Sequence, residues 1–178
     1  MKIKSDFITN SSSTNYVFLF KGKTKKDLYK ALDNANLYIS GERYKTSKKG
    51  NVRSVRISCN SDDIINVLRE KSKKIKTKPV SKIKEKFDKD LNYWINTLKE
   101  KEINSQYYFT YYFEVFLICK TIEEAIKQNF NIAVEAEFGN GGGCGLVEGT
   151  DLAYLLHEQY YSLKVYNEDL IIITEDRS

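Results

Sequence analysis

The sequence predicts an α+β fold: a mixed or mainly antiparallel sheet covered by three or four helices, one of them long and amphipathic. Three observations carry this expectation. Short runs of aromatic and branched residues, such as 16–20 and 170–174, have strand character. Between such runs, apolar residues recur at three- and four-residue spacing, as they do on helices with one buried face. Finally, 178 residues of which 41% are apolar can build a core without disulfide or metal staples. Strands and helices alternate, but no dinucleotide or P-loop fingerprint organises them into a doubly wound sheet.

The polar run Thr9 to Asn15 lies between apolar stretches and reads as a broad turn joining strands at 3–8 and 16–20. Gly22 ends the second strand. Thr24, three residues before Asp27, then opens an amphipathic helix over about 24–36, with Leu28, Ala31, Leu32 and Ala35 inward. Residues 36–51 read as a short strand, a turn near Gly41 and an exposed basic loop. Residues 52–59 alternate as a strand, with Val55, Ile57 and Cys59 on one face and a slip near Ser54 that suggests a bulge. Ser61 is placed to cap a helix running to about Lys74, with Asp62 and Asp63 at its positive end.

The long helix is expected over about 80–103, where Val80, Ile83, Phe87, Leu91, Trp94 and Leu98 form one seam packed on a sheet. The aromatic run QYYFTYYFEVFLIC, 106–119, is expected to be a central strand. A short helix opening at Thr121 and Glu124 follows it. Residues 130–138 alternate as a further strand, Thr150 or Asp151 caps another helix to about Tyr160, and 162–166 with 170–174 close a hairpin around Asn167 to Asp169. The whole chain, 1–178, is expected to be a single α+β domain. The basic stretch 71–78 is the one place where two subdomains would join.

The charge of +5 conceals a division. Residues 1–89 carry 23 Lys and Arg against 9 Asp and Glu, and residues 90–178 carry 6 against 15. The basic half offers a surface for an anionic partner, with Lys45, Lys48, Lys49, Arg53, Lys74 and Lys76 as its candidate contacts and Tyr44 placed to stack. Lysine outnumbers arginine, which fits phosphate affinity rather than base reading. Solvated lysine faces explain the same pattern without any ligand.

Residues 139–145, GNGGGCG, hold five glycines, a composition that costs conformational entropy and lets backbone amides approach a ligand. The run lacks the Lys-Ser/Thr ending of a phosphate loop, so a mobile surface loop or hairpin connection is the preferred reading, one that a partner could order through Gly141, Gly142, Gly143 and Cys144. Cys144 with His157 offers a nucleophile pair only if the fold brings them together. Glu135, Glu137, Glu148 and Asp151 offer oxygen ligands for Mg²⁺, against which stands the solvated face of an edge strand. Three cysteines without CxxC spacing and a single histidine point to no metal, no cofactor and a reducing compartment. No apolar run is long enough to cross a bilayer and no signal peptide precedes the first one, so a cytoplasmic protein without a membrane partner is expected.

The tyrosines 107, 108, 111 and 112 favour protein contact, because they bring large area at low entropy cost, and Tyr108 and Tyr112 are the candidate contacts. The N-terminal stretch SDFITNSSSTNYVF resembles a short signature, S-x-F-V-T-N-S-S-S-S-S-F, of uncharacterised proteins of bacteriophages and low-GC Gram-positive bacteria. Ser5, Phe7, Thr9, Asn10, Ser11, Ser12, Ser13 and Val17 carry the match, while Ile8 and Thr14-Asn15-Tyr16 depart from it. The resemblance covers about a dozen residues and implies a phage-like or mobile-element origin, not an activity. The expectation is an accessory protein that binds another macromolecule, most readily a protein or a second copy. The alternatives are nucleic-acid binding by the lysine-rich half and an enzyme centred on the glycine loop.

Overall fold

The computed structural model describes residues 13–70, 75–100, 106–139 and 161–177. Five strands form one antiparallel sheet in the order β4-β5-β1-β7-β6. They are β1 (Ser13–Phe20), β4 (Thr77–Pro79), β5 (Ile132–Gly139), β6 (Tyr161–Asn167) and β7 (Leu170–Arg177). Two more, β2 (Tyr38–Thr46) and β3 (Val52–Asn60), pair only with each other. The described residues also form four helices: α1 (Lys25–Ala35), α2 (Ser61–Glu70), α3 (Val80–Glu100) and α4 (Gln106–Lys127). The α+β class, the antiparallel sheet and the long helix of the sequence reading are all present.

The centre of the sheet is β1, whose residues Tyr16 to Phe20 are buried without interruption. An unbroken apolar strand is what a sheet covered on both faces requires. Tyr16, Phe18 and Phe20 meet Leu28, Ala31 and Leu32 of α1 and Ile64, Ile65 and Leu68 of α2. Val17 and Leu19 meet Val80, Ile83 and Phe87 of α3 and Val115, Ile118 and Ile122 of α4 on the opposite face. The molecule is therefore helix pair, sheet, helix pair. The chain crosses between layers at the sheet edge, where Ile75 belongs to the first core and Val80 to the second, with β4 between them.

The largest correction concerns residues 106–119, which form the first two thirds of α4 and not the central strand. The buried residues of α4, Val115, Ile118, Cys119, Ile122 and Ala125, fall at helical intervals. Thr121 does not open a new helix: its hydroxyl donates to the Leu117 carbonyl one turn back, as does Thr110 to Gln106. Aromatic β-propensity yielded to packing, because Trp94 of α3 stacks on Tyr111 at 5.1 Å and lies 6.1 Å from Tyr108.

Other boundaries shift less. β2 runs straight through Gly41, which pairs with Ile57, and the β2–β3 register is unbroken through Ser54, so there is neither a turn nor a bulge at those points. Asn60, not Ser61, caps α2: Asp63 N–H donates to Asn60 Oδ1 at 3.0 Å and Asn60 N–H to Asp63 Oδ2 at 2.8 Å. The helix expected at about 24–36, the strand at 130–138 and the hairpin of 162–166 with 170–174 are present, the hairpin strands running slightly longer as β6 and β7. The expected strand at 3–8, the helix after 150 and the stretch 71–74 lie outside the described residues.

Cys59 and Cys119 are both buried free thiols, and burial pushes each pKa to about 11, with Asp63 and Asp88 respectively adding to the rise. In a Cys144→Ser variant, neither remaining thiol should react with a disulfide reagent near pH ~8 until denaturant is added. Rapid labelling of the native variant would contradict this packing.

Candidate nucleic-acid interface

The β2–β3 ribbon leaves the body between α1 and α2. Its root is held by one buried hydroxyl: Ser61 Oγ donates to Leu32 O and accepts from Leu37 N–H, both at 2.7 Å. Ser61 N–H also donates to Leu37 O. One side chain thus ties the end of α1, the start of the ribbon and the start of α2 together. Ser61→Ala should lower stability by roughly 1–3 kcal/mol, because it strands two buried backbone groups. Chemical denaturation measures this, and a loss under 0.5 kcal/mol would show that water replaces the hydroxyl.

Beyond the root, nine consecutive residue pairs, from Tyr38↔Asn60 to Thr46↔Val52, make an arm about 30 Å long. Nearly all its described side chains are exposed, including Tyr38 at 68%, Tyr44 at 71% and Val52 at 63%. The tip is a compact turn. Gly50 N–H donates to Ser47 O, Ser47 N–H donates to Asn51 O, and the Ser47 hydroxyl accepts from Asn51 N–H. Gly50 has φ +81°, which an L side chain adopts at a cost, so glycine suits this position. The turn places Lys48 and Lys49 at the far end, and directly behind them Lys45 pairs with Arg53 across the strands.

Residues 38–60 hold six Lys and Arg and one acid, Glu42, so they carry a net +5. Lys45, Lys48, Lys49 and Arg53 form no ion pair with the described residues. Three lysines of α3 differ. Lys82 is bound to Glu85, Lys84 to Asp88 and Glu123, and Lys86 to Glu135 and Glu175. Lys78 of β4 also reaches Glu135, while Lys21 pairs with Asp169 at 3.6 Å. Lys23, Lys26 and Lys30 around α1 and Lys89 and Lys99 of α3 are also exposed without an ion pair among the described residues, but the arm gathers four such cations within residues 45–53. Lys76 is exposed just before β4, apart from the arm, and Lys74 lies outside the described residues.

Of the four candidate acids, Glu135 is described. β4 pairs with β5 only from Ile132 to Val134, so at Glu135 the strand has β1 as its neighbour on one side. The Glu135 side chain, 20% exposed, is clamped by Lys78 and Lys86 beneath α3. Burial pushes its pKa up, but the hydrogen bond from Lys78 and the charge and hydrogen bond of Lys86 outweigh that, and the net shift is downward. The side chain of Glu137 and residues Glu148 and Asp151 lie outside the described set. Among the described residues, no cluster of three or more His, Cys, Asp or Glu is placed to hold a metal ion. No described helix is long and apolar enough to cross a membrane. Gly141, Gly142, Gly143, Cys144 and His157 fall outside the described residues.

Of the tyrosine contacts, Tyr108 is half-buried beside Trp94, and Tyr112 is half-buried between Phe109 and Phe116. The exposed aromatic surface of α4 is instead Phe109, at 58%, and Phe113, at 48%, stacked on each other and followed one turn on by Leu117. Sequence reasoning missed these because it spaced the run by two. A spacing of four aligns 109, 113 and 117. No protein-family model matches the chain, and no significant match exists among curated proteins or solved structures.

Proposed function

We propose that this protein binds nucleic acid through the β2–β3 arm, as an accessory factor of phage or mobile-element type acting in the cytoplasm. One observation carries the reading: Lys45, Lys48, Lys49 and Arg53 stand exposed, without an ion pair among the described residues, on a projecting ribbon whose residues 38–60 hold six Lys and Arg against one acid. An isolated two-stranded ribbon is marginal by itself, and repelling cations at its tip make it more so. Neutralisation by phosphates removes that repulsion and releases counterions, which supplies the affinity. Titration of labelled nucleic acid at low and moderate salt tests the proposal. Absence of binding at low salt would reject it.

A second reading concerns protein contact, which the exposed stripe of α4 favours. From Gln106 to Leu117 the helix carries one charged residue, the half-buried Glu114. A second copy fits this face, because two uncharged stripes meet across a two-fold axis without repulsion. Phe109, Phe113 and Leu117 together expose on the order of 300 Å² of apolar surface, below the ~800 Å² per partner of a stable complex, so association should be weak. Sedimentation velocity should show reversible dimerisation that Phe113→Ser abolishes. A strictly monomeric protein at ~0.5 mM would reject self-association and leave a different protein as the occupant.

A further inference from the structure

We infer that the ligand of the arm is double-helical DNA, and that the ribbon lies in its major groove. This rests on the reading of the arm as a nucleic-acid interface. The first argument is shape. Two strands about 4.8 Å apart, with side chains on either side, fit a groove ~12 Å wide and exceed the ~6 Å minor groove. The deep, narrow major groove of A-form RNA excludes such a ribbon. The register is unbroken over nine pairs, so nothing bends the arm away from a continuous groove.

The second argument is the division of chemistry between the two faces. Side chains of paired residues share a face, and successive residues alternate. One face therefore carries Ser40, Glu42, Tyr44, Thr46, Ser54, Arg56 and Ser58, all exposed, with Glu42 directly opposite Arg56 and accepting from the Ser54 hydroxyl. Hydroxyls that donate and accept, a carboxylate that accepts and a guanidinium fork are groups that can meet base edges in the major groove. The other face carries Lys45 opposite Arg53, and the turn carries Lys48 and Lys49. Lys48 and Lys49 extend the ribbon along the groove. The long side chains of Lys45 and Arg53, which start from the face turned away from the bases, reach the phosphates of the groove walls by bending around the strand edges.

The third argument weighs against a single strand. Single-stranded binders stack successive bases on successive rings. Here the arm's two aromatic side chains, Tyr38 and Tyr44, stand six residues apart on one strand, about 20 Å. That spacing cannot stack neighbouring bases.

The test uses the full chain and fluorescence anisotropy with four labelled probes of one sequence: duplex DNA, duplex RNA, single-stranded DNA, and duplex DNA with bulky groups on pyrimidine C5, which project into the major groove. The expected result is duplex DNA bound at least about tenfold more tightly than the other three, with Arg56→Ala narrowing its advantage over duplex RNA. Equal or tighter binding of duplex RNA or single-stranded DNA would overturn the groove assignment, as would indifference to the C5 groups, while leaving the arm as a phosphate-binding surface. Failure of all four probes to bind in a salt-dependent way would instead overturn the reading of the arm itself.

Discussion

Replacing Lys45, Lys48, Lys49 and Arg53 together by alanine should weaken nucleic-acid binding by roughly a hundredfold or more at ~50 mM salt. Each of these cations is exposed and unpaired in the described structure, so each is free to displace a counterion from a phosphate. Their removal should also flatten the salt dependence, because each lost phosphate contact takes close to one unit from the log–log slope. Thermal stability should scarcely change, since exposed side chains without partners contribute within about ±0.5 kcal/mol. A matched set of four on the other layer, Lys82, Lys89, Lys99 and Lys120 replaced together by alanine, should leave binding nearly intact. That comparison separates the geometry of the arm from bulk positive charge.

The second large effect lies under α3. Lys86 Nζ sits 2.7 Å from Glu175 and 3.2 Å from Glu135, and Asn15 Nδ2 adds a bond to Glu175 at 3.3 Å. The Glu175 side chain is 8% exposed. Lys86→Met keeps the packing length but removes the ammonium that reaches both carboxylates. The loss should be about 3 kcal/mol, at the low end for a broken buried pair because a quarter of Lys86 remains exposed. Adding Glu175→Gln should restore part of that loss, as a double-mutant cycle measures directly. The pH dependence follows from the depressed pKa of Glu135. Its contribution is fully present above the ordinary glutamate value of 4.5, and it is lost as pH falls through the lower folded value. In Lys86→Met, urea midpoints should vary less between pH 6 and pH 3 than in the parent. A steeper acid loss in the variant would contradict the assignment.

The layers were legible where one pattern had one meaning. The β1 run Tyr16 to Phe20, the α1 face and the α3 seam each announced both element and buried side, because their spacing admits a single period. Residues 106–119 did not. Aromatic side chains satisfy strand propensity, and a run that is apolar nearly all round hides its 3.6-residue period. Its length was the neglected signal: fourteen residues without a breaker exceed an ordinary strand. The candidate interface was half legible. Lys45, Lys48, Lys49 and Arg53 were marked by charge, but nothing local shows that α3 lysines are neutralised by Glu135 and Glu175, which come from strands far along the chain. The arm itself was obscured by Gly41, which read as a turn and instead lies inside a continuous ladder.

The measurement that tests the central claim most directly is the affinity of the unmodified protein for a short labelled DNA duplex at several salt concentrations between ~50 and ~200 mM. Four phosphate contacts by the arm predict a log–log slope near −4, roughly a hundredfold loss across that range, and a slope near zero for the arm variant. No binding at the lowest salt, or an arm variant with the parental slope, would contradict the account.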